Sequence, residues 1–370
     1  MPGRLALLAN LVLLGLLVTF GWLAVAHPDL YYRSVQEDQA LEWASFWAFL
    51  LAGTSFGVAA VRQRKRAGAF PWFLVGLALF SIVVAMEEIS WGQRVLGHRP
   101  PDYFLAENFK QELNLHNIAG TGLRLFAFRS IVLGYGVLLP LFALIPAVRR
   151  RLDQLAIVPP PIELAPSMFA IWFIHWDYPW KFTGEICEAA LGFAFLFAAA
   201  ANAARFASER PARPTLQASF FVVLVALLGW STAWWSQNRQ STDPQLLDLA
   251  LVETEALRND LQALADAKGK KAITKCGTHK RLYTLVQAKE YARPLPDMSF
   301  AARVSEGLPE SRAEFFLDPW NSPYWVRDRC DKKSGRRVTF VYSFGPNRSR
   351  DSSRWEILGD DIGHYVLNDR

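Results

Sequence analysis

The stretch FPWFLVGLALFSIVVAMEEISWGQR, residues 70–94, joins an apolar run directly to an acidic and polar segment. The run from Phe70 to Ala85 is long and apolar enough to enter a bilayer. Glu87 and Glu88 follow at once, and two adjacent carboxylates at the end of a membrane helix are costly unless they are paired, solvated or bound to a ligand. The stretch therefore predicts a membrane helix that ends in a polar site.

A second polar stretch, NFKQELNLHN at residues 108–117, follows this segment closely. Two prolines precede Asp102, which is a suitable N-cap, and the pattern predicts a short amphipathic helix from Asp102 to Asn117. In such a helix Glu112 and His116 are four residues apart and share one face. We therefore expect both side chains near the same site.

The composition divides the chain near residue 236. Hydrophobic residues make up 52% of the whole, but the long apolar runs end there and a polar, charged, turn-rich segment follows. This division predicts a transmembrane helical domain over residues 1–236 and a soluble domain over residues 237–370. The first apolar run follows only Arg4 and lacks a clear cleavage site, so it is interpreted as a retained signal anchor.

Seven apolar segments are candidates for membrane helices. They are Leu5–Ala26, Ala40–Val61, Phe70–Ile89, Leu125–Ala147, Leu164–Tyr178, Glu185–Ala204 and Leu216–Trp235. The loops after the second, fourth and sixth segments are rich in arginine and lysine, which indicates a cytoplasmic N-terminus. An odd number of spans then puts the C-terminal domain outside the cytoplasm, at the face where all the acidic and histidine candidates lie.

The polar candidates include a possible transition-metal centre. Glu87, Glu88 and Gln93 are the candidate catalytic side chains, with Glu88 as a general base. Carboxylates and imidazoles are ligands of zinc, iron or manganese. The candidate ligands are Glu112, His116, His175, Glu185 and Glu188. Such a metal, with an open coordination position, activates water for hydrolysis.

Other interpretations of the same residues remain open. Glu87 and Glu88 pair with Arg94, Arg124 or Arg129 in a purely structural network, or the acids serve ion or proton passage. The net charge is +6, but the sequence has no stripe of basic residues interleaved with aromatic residues, so we do not expect a nucleic-acid partner. The lipid bilayer is the expected partner of the apolar segments.

The soluble domain is predicted to be α+β. Asp243 is a suitable N-cap before Pro244, and a helical period continues to about Ala267. Two β-like runs follow, Arg337–Phe344 and His364–Leu367.

Two resemblances to known families rest on quoted motifs. The EEISWGQR segment with NxxQExNLHN, within residues 70–117, resembles a group of bacterial multi-pass membrane proteins and implies no activity. The segments LDPWNSPYW at 317–325, VYSFGPN at 341–347 and GDDI at 359–362 resemble the C-terminal domain of the type II secretion major pseudopilin. Together they imply a bacterial inner-membrane protein with a pseudopilin-like periplasmic domain.

The pseudopilin resemblance implies a calcium site at Asn347, Asp360 and Asp361, because that family binds calcium in its last loop. Hard oxygen donors in a flexible loop suit this ion. The sequence departs from the family where Asn321 replaces glycine and Asn347 replaces an acid, and the loop also carries several arginines. A salt-bridged loop without metal is the alternative, and no prepilin cleavage signature precedes the seventh segment.

Two of the three cysteines, Cys276 and Cys330, belong to the soluble domain. An oxidising compartment favours a disulfide between them, with two free thiols as the alternative.

Two functions are compatible with these sequence features. The first is an envelope or secretion-related assembly or binding role, with an envelope or secretion-system protein as partner. The second is a membrane-embedded, metal-dependent hydrolase or transferase acting on a lipid-linked substrate at the outer leaflet.

Overall fold

The computed structural model describes residues 3–108, 110–207, 214–239, 243–269, 273, 276–287, 310–331 and 333–369. Most of these residues are helical, and one small antiparallel sheet lies near the C-terminus. The chain forms two compact units. The first comprises Met1–Gly92 and Asn114–Trp234, and the second comprises Gln93–Leu113 and Trp235–Arg370. The sequence predicted that all residues before 237 belong to the first domain, whereas in the structure Gln93–Leu113 belongs to the second unit.

The helices follow one another closely along the chain. In order they are α1 (Gly3–Ala26), α2 (Pro28–Ser34), α3 (Ala40–Ala67), α4 (Trp72–Glu88), α5 (Gln93–Leu96), α6 (Asp102–Glu107), α7 (Thr121–Ser130), α8 (Leu139–Phe142), α9 (Pro146–Gln154), α10 (Ala165–Asp177), α11 (Thr183–Arg205), α12 (Pro214–Arg239), α13 (Pro244–Lys268), α14 (Leu282–Gln287) and α15 (Glu310–Phe315). A π-helical segment, Ile131–Leu138, makes α7 and α8 continuous.

Five helices among the described residues are long and apolar enough to cross a membrane. They are Gly3–Ala26, Ala40–Arg66, Thr121–Phe142, Thr183–Arg205 and Thr215–Asn238. Two of the seven expected spans correspond to shorter helices, because α4 has 17 residues and α10 has 13. At a rise of about 1.5 Å per residue, α10 covers only about two thirds of the hydrocarbon thickness.

The first unit is built around α11, which is the most buried of the candidate spans at 78%. Its Phe195 ring lies 5.8 Å from Phe49 of α3, 5.6 Å from Phe80 of α4 and 5.2 Å from Tyr135 of the π-helical segment, centroid to centroid. Aromatic rings at these spacings interact favourably beyond simple burial. Phe195 therefore joins three neighbouring elements in one aromatic cluster.

Small residues bring the helices of this unit close together. A Cβ atom added at Gly229 of α12 would lie 2.9 Å from the backbone nitrogen of Ala44 in α3. A Cβ atom at Gly53 of α3 would lie 3.0 Å from the carbonyl oxygen of Ala78 in α4. Close backbone approach at small residues is the usual packing of membrane helices.

The expected amphipathic helix from Asp102 to Asn117 is wrong in its extent. The helix α6 ends at Glu107, and Asn108 adopts an extended conformation with φ −80° and ψ 119°. Its side chain explains the break, because Asn108 Oδ1 accepts from the Lys110 backbone N–H at 2.7 Å and Nδ2 donates to the Glu112 carbonyl at 2.6 Å. Asparagine competes with the helix in this way. Glu112 and His116 therefore do not share a helical face.

The second unit packs α13 against a four-stranded antiparallel sheet. The strands are β1 (His279–Arg281), β2 (Trp325–Cys330), β3 (Arg337–Ser343) and β4 (Ile362–Asp369), in the order β1-β2-β3-β4. The helix and both predicted strands are confirmed, and Asp243 caps α13 by accepting from the Gln245 backbone N–H at 3.0 Å. A β-bulge interrupts the β3–β4 register between Thr339 and Phe340.

The segment Gln93–Leu113 is part of the core of the second unit. Leu105 of α6 is fully buried in the same apolar cluster as Leu257 of α13 and Val326 of β2. Nearby, Gln111 Nε2 donates to the Phe315 carbonyl at 3.0 Å. Two segments separated by more than 200 residues thus fold as one body. Burial of their apolar side chains stabilises the unit by about 25 cal/mol per Å² of apolar area removed from water.

Candidate functional site

Glu87 is the centre of a saturated hydrogen-bond network in the first unit. Its Oε1 accepts from Trp91 Nε1 at 2.6 Å, and its Oε2 accepts from the backbone N–H groups of Leu115 at 2.7 Å and His116 at 2.9 Å. The His116 ring Nδ1 lies 3.2 Å from the same Oε2. A carboxylate with this many donors is held in its charged form and fixes a loop in place. This arrangement accounts for the cost of burying Glu87.

The backbone beside Glu87 is unusual. Ser90 has φ 46°, Trp91 has φ 54° and Gly92 has φ 75°, so three consecutive residues lie in the left-handed region. That conformation is costly for residues with a Cβ atom. The Trp91–Glu87 bond and the 3.0 Å bond from Asn114 Nδ2 to Ser90 Oγ hold the turn. The SWG motif is therefore a strained turn fastened by buried polar contacts.

His175 has a different environment in the same unit. Arg129 donates from Nε to His175 Nδ1 at 3.4 Å and from Nη2 to the His175 carbonyl at 3.3 Å. The Phe128 ring stacks on the imidazole with 4.2 Å between centroids. A guanidinium that occupies the imidazole lone pair excludes that nitrogen from binding a metal ion. The sequence offered Arg129 as an ion-pair partner of Glu87, but in the structure the hydrogen bonds of Arg129 go to His175.

The other predicted membrane-site residues are distributed over both units. Glu88 is half-buried at the end of α4, and Glu185 and Glu188 are half-buried in the first turns of α11. Gln93 and Glu112 are buried and belong to the second unit, where Gln93 Oε1 accepts from the Leu113 backbone N–H at 2.7 Å.

One group of three potential metal ligands converges within 4.8 Å in the described part of the chain, and it is Cys276, Asp328 and Cys330. Its two sulfur atoms are 2.11 Å apart and form the expected disulfide. Asp328 is buried beside it, where its carboxylate accepts from the Cys276 backbone N–H and from Thr339 Oγ1. This acid therefore supports the disulfide and the sheet.

The loop between β3 and β4 brings together the predicted calcium ligands. Asn347 Nδ2 donates to Asp360 Oδ1 at 2.6 Å and to Asp351 Oδ2 at 3.3 Å. Gly345 and Gly359 have φ of 66° and 69°, and a Cβ atom on either would collide with Asp360 or Asp351. Calcium takes amide and backbone oxygens together with carboxylates. Here the Asp351 and Asp360 carboxylates converge, whereas Asn347 presents its amide nitrogen to them and its Oδ1 accepts from the Ser349 backbone N–H at 2.6 Å.

The acids of this loop are held in conditions that favour their neutral forms. Burial and the neighbouring Asp351 carboxyl raise the pKa of Asp360 to about 7, and burial raises the pKa of Asp361 to about 7. Asp361 Oδ2 accepts from the Ser352 backbone N–H at 2.7 Å, but its buried Oδ1 has no hydrogen-bond partner among the described residues. A bound divalent cation would supply the missing contact and the compensating charge.

Some of these relationships had no signal in the sequence. Arg129 and His175 are 46 residues apart, with no local pattern to pair them. The buried pair Glu253 and Arg312 likewise joins α13 to α15 across 59 residues.

No family model, curated protein or solved structure matches this chain.

Proposed function

We propose that this protein is a bacterial inner-membrane binding protein whose membrane helices carry a pseudopilin-like periplasmic domain, with an assembly role in the cell envelope or in secretion. The observation that carries the proposal is the loop of Asn347, Asp351, Asp360 and Asp361, whose crowded oxygens favour a calcium ion. Calcium would close the loop and order the surface beside it.

The membrane organisation that we propose keeps seven spans. The shorter helices α4 and α10 join the five candidate spans as the third and fifth. Five and seven are both odd, so either number places the two ends of the chain on opposite sides of the bilayer. The arginine-rich loops favour a cytoplasmic N-terminus, which leaves the C-terminal domain in the periplasm.

Two of the three candidate catalytic side chains, Glu87 and Gln93, already accept backbone hydrogen bonds, which favours a binding role over catalysis. The Glu87 carboxylate already accepts three hydrogen bonds and contacts a histidine ring, so it is committed to holding the loop around Leu115. A general base needs a free lone pair aimed at its substrate. The network is therefore assigned a structural role.

The calcium site can be tested on the full-length protein in detergent. Thermal unfolding followed by tryptophan fluorescence is measured in EGTA and in millimolar calcium. We expect calcium to raise the midpoint by several degrees, since binding at roughly 100 times Kd adds about 2.7 kcal/mol. Asp360→Asn and Asp361→Asn should lose this response.

Asp248→Asn is the matched control, because Asp248 is an exposed carboxylate on α13. It should respond to calcium as the wild type does. An unchanged midpoint of the wild type across the calcium titration would count against the site.

The surface beside the loop provides the test of binding. Leu358 is 43% exposed and lies two residues before Asp360, so a side chain placed there reports on the surface beside the loop. A photo-reactive residue at position 358 should form one discrete protein crosslink in cells, and Asp360→Asn should weaken it. The same probe at position 248 is the control, and equal labelling at both positions would contradict the proposal.

A further inference from the structure

An open groove of about 390 Å³ lies between α7 with its π-helical continuation and α10. Its walls are mainly apolar, formed by Leu125 and Leu133 on one side and by Trp172 and Trp176 on the other. Trp176 is 59% exposed, so the groove opens on the outer surface of the first unit. Its volume is in the range of small-molecule sites.

One cation lines this groove. The Arg129 guanidinium lies 4.5 Å from the Trp176 ring centroid and is half-buried. Its hydrogen bonds go to the His175 Nδ1 atom and the His175 carbonyl, both of them uncharged acceptors. No carboxylate of the described residues lies within ion-pair distance of it. A guanidinium has five N–H donors, so several remain for an anion.

The position of Arg129 along the helix indicates where such an anion would lie. Arg129 belongs to the candidate span Thr121–Phe142 and is eight residues from its first residue, a distance of about 12 Å along the axis. The Trp176 ring that Arg129 contacts is in the last turn of α10, so an anion bound by Arg129 would lie beside the end of that helix. A charged side chain within a membrane helix marks a functional site by default. The π-helical segment begins two residues later, at Ile131, and such segments occur frequently at functional sites.

A ligand that satisfies these surroundings has an apolar chain and an anionic head. The chain would lie against Leu125, Leu133 and Trp172, and the head would accept hydrogen bonds from Arg129. A small soluble anion would leave the apolar walls uncovered, and a zwitterionic lipid would present its own ammonium group to the guanidinium. Arginine binds phosphate oxygens through two parallel hydrogen bonds.

We propose that this groove is a specific site for an anionic phospholipid, with the phosphate bound by Arg129 and one acyl chain bound between α7 and α10. This inference is independent of the calcium loop and of the binding role proposed for the second unit. It assigns to the first unit a ligand of its own, taken from the bilayer.

The test uses full-length protein, delipidated in detergent and titrated with phosphatidylglycerol or phosphatidylcholine of identical acyl chains. Retained lipid is counted by native mass spectrometry. We expect phosphatidylglycerol to bind ~10-fold more tightly, because the choline ammonium group of phosphatidylcholine offsets the attraction of its phosphate to Arg129; a 10-fold preference corresponds to about 1.4 kcal/mol. Equal retention of the two lipids by the wild type would overturn the proposal.

Single substitutions distinguish binding of the lipid head group from binding of the acyl chain. Arg129→Gln should reduce the lipid preference to ~1–2-fold, and Arg129→Lys should keep part of it, because lysine retains the charge without the fork. Leu133→Trp fills the groove and should weaken both lipids while leaving Arg129 in place. Arg62→Gln, which changes a guanidinium bonded to the Ala203 carbonyl elsewhere in the unit, should leave the preference unchanged.

Glycerol phosphate distinguishes a lipid from a soluble anion. This head-group analogue should not displace the lipid at millimolar concentration, and effective competition by it would overturn the assignment of a lipid. The thermal unfolding midpoint of each variant is measured beside the lipid count. If Arg129→Gln does not fold, Leu133→Trp carries the test, and an unchanged affinity of that variant would contradict the proposal.

Discussion

Glu87 and His116 are joined twice, because the His116 backbone N–H donates to Glu87 Oε2 over 2.9 Å and the His116 ring Nδ1 lies 3.2 Å from the same oxygen. The two residues are 29 positions apart, so the contact closes the chain segment between the end of α4 and the start of α7. Buried carboxylates that accept backbone hydrogen bonds are costly to alter.

Replacement of the Glu87 carboxylate should therefore destabilise the first unit. Glu87→Gln keeps one acceptor but places an amide N–H₂ group against a donor, either Trp91 Nε1 or the backbone pair of Leu115 and His116. We expect a loss of about 1–3 kcal/mol in the free energy of unfolding. Trp91→Phe should cost less, because it removes a single donor.

A double-mutant cycle supplies the control for this prediction. The combined variant should lose less than the sum of the single losses, since both changes act on one contact. Strictly additive losses, measured by tryptophan fluorescence during thermal unfolding, would show that the two side chains do not act together.

The buried ion pair of the second unit gives a second prediction. Arg312 Nη2 lies 2.9 and 2.7 Å from the two Glu253 oxygens, and Tyr324 donates to the same carboxylate at 2.6 Å. Arg312→Met leaves a buried carboxylate without its cation, which should cost about 3–5 kcal/mol at pH 8.

The cost of that substitution should depend on pH. Burial raises the pKa of Glu253 to about 7 in spite of Arg312, so the unpaired carboxyl takes up a proton readily in acid. The loss measured at pH 5 should therefore be smaller than the loss at pH 8. An equal loss at both pH values would contradict this explanation of the pair.

Asp318 provides a third prediction, on the pH dependence of stability. Complete burial raises its pKa from the ordinary 3.8 to about 6. A raised pKa means that the folded state holds its proton more tightly than the unfolded chain, so stability is full below pH 4 and is lost as the pH rises to about 6. The effect corresponds to roughly 3 kcal/mol for this one group.

Asp318→Asn isolates this contribution. Asp318 Oδ1 accepts from the backbone N–H groups of Trp320 and Ser322, and Asp318 Oδ2 accepts from the Ser343 hydroxyl. The asparagine amide can keep these contacts: its oxygen accepts from the two backbone groups, and its N–H₂ group donates to the Ser343 hydroxyl once that hydroxyl has rotated. Relative to this variant, the wild type should lose stability between pH 4 and pH 6. Parallel pH profiles of the two proteins in chemical denaturation would refute the assignment.

The disulfide gives a fourth prediction. Cys276 and Cys330 close a segment of 54 residues, so their bond restricts the unfolded chain. Replacing both by alanine should cost about 2–4 kcal/mol. The buried Cys187 is a suitable control, since Cys187→Ala removes a thiol and leaves the disulfide in place. A reductant that lowers the wild-type midpoint but not that of the double variant would confirm the source of the effect.

Several elements of this protein were predictable from short segments of sequence. The helix α13 begins after its predicted cap Asp243, and the strands β3 and β4 lie where alternating β-branched and aromatic residues predicted them. Caps, turns and apolar periods act over a few residues, so they can be recognised without tertiary information. The cysteine pair followed from a count of two in one expected domain.

The polar site was less predictable. The sequence indicated that Glu87 needs partners, but suggested arginines where the structure has Trp91, Leu115 and His116. It also predicted a helix through Glu112, where the Asn108 side chain ends the helix early. A strong local competitor for backbone hydrogen bonds outweighed a weak helical period.

The sequence by itself determined that residues 70–94 combine a membrane-length apolar run with two carboxylates that require compensation, because solvation costs depend on residue type alone. The tertiary structure alone decided that Trp91, Leu115 and His116 compensate Glu87. It also decided that Gln93–Leu113 folds with the C-terminal sheet, whereas Glu87 and His116 belong to the helical unit. The reason is physical: burial and hydrogen bonding are satisfied by whichever groups the folded chain brings within about 3 Å, regardless of their separation in sequence.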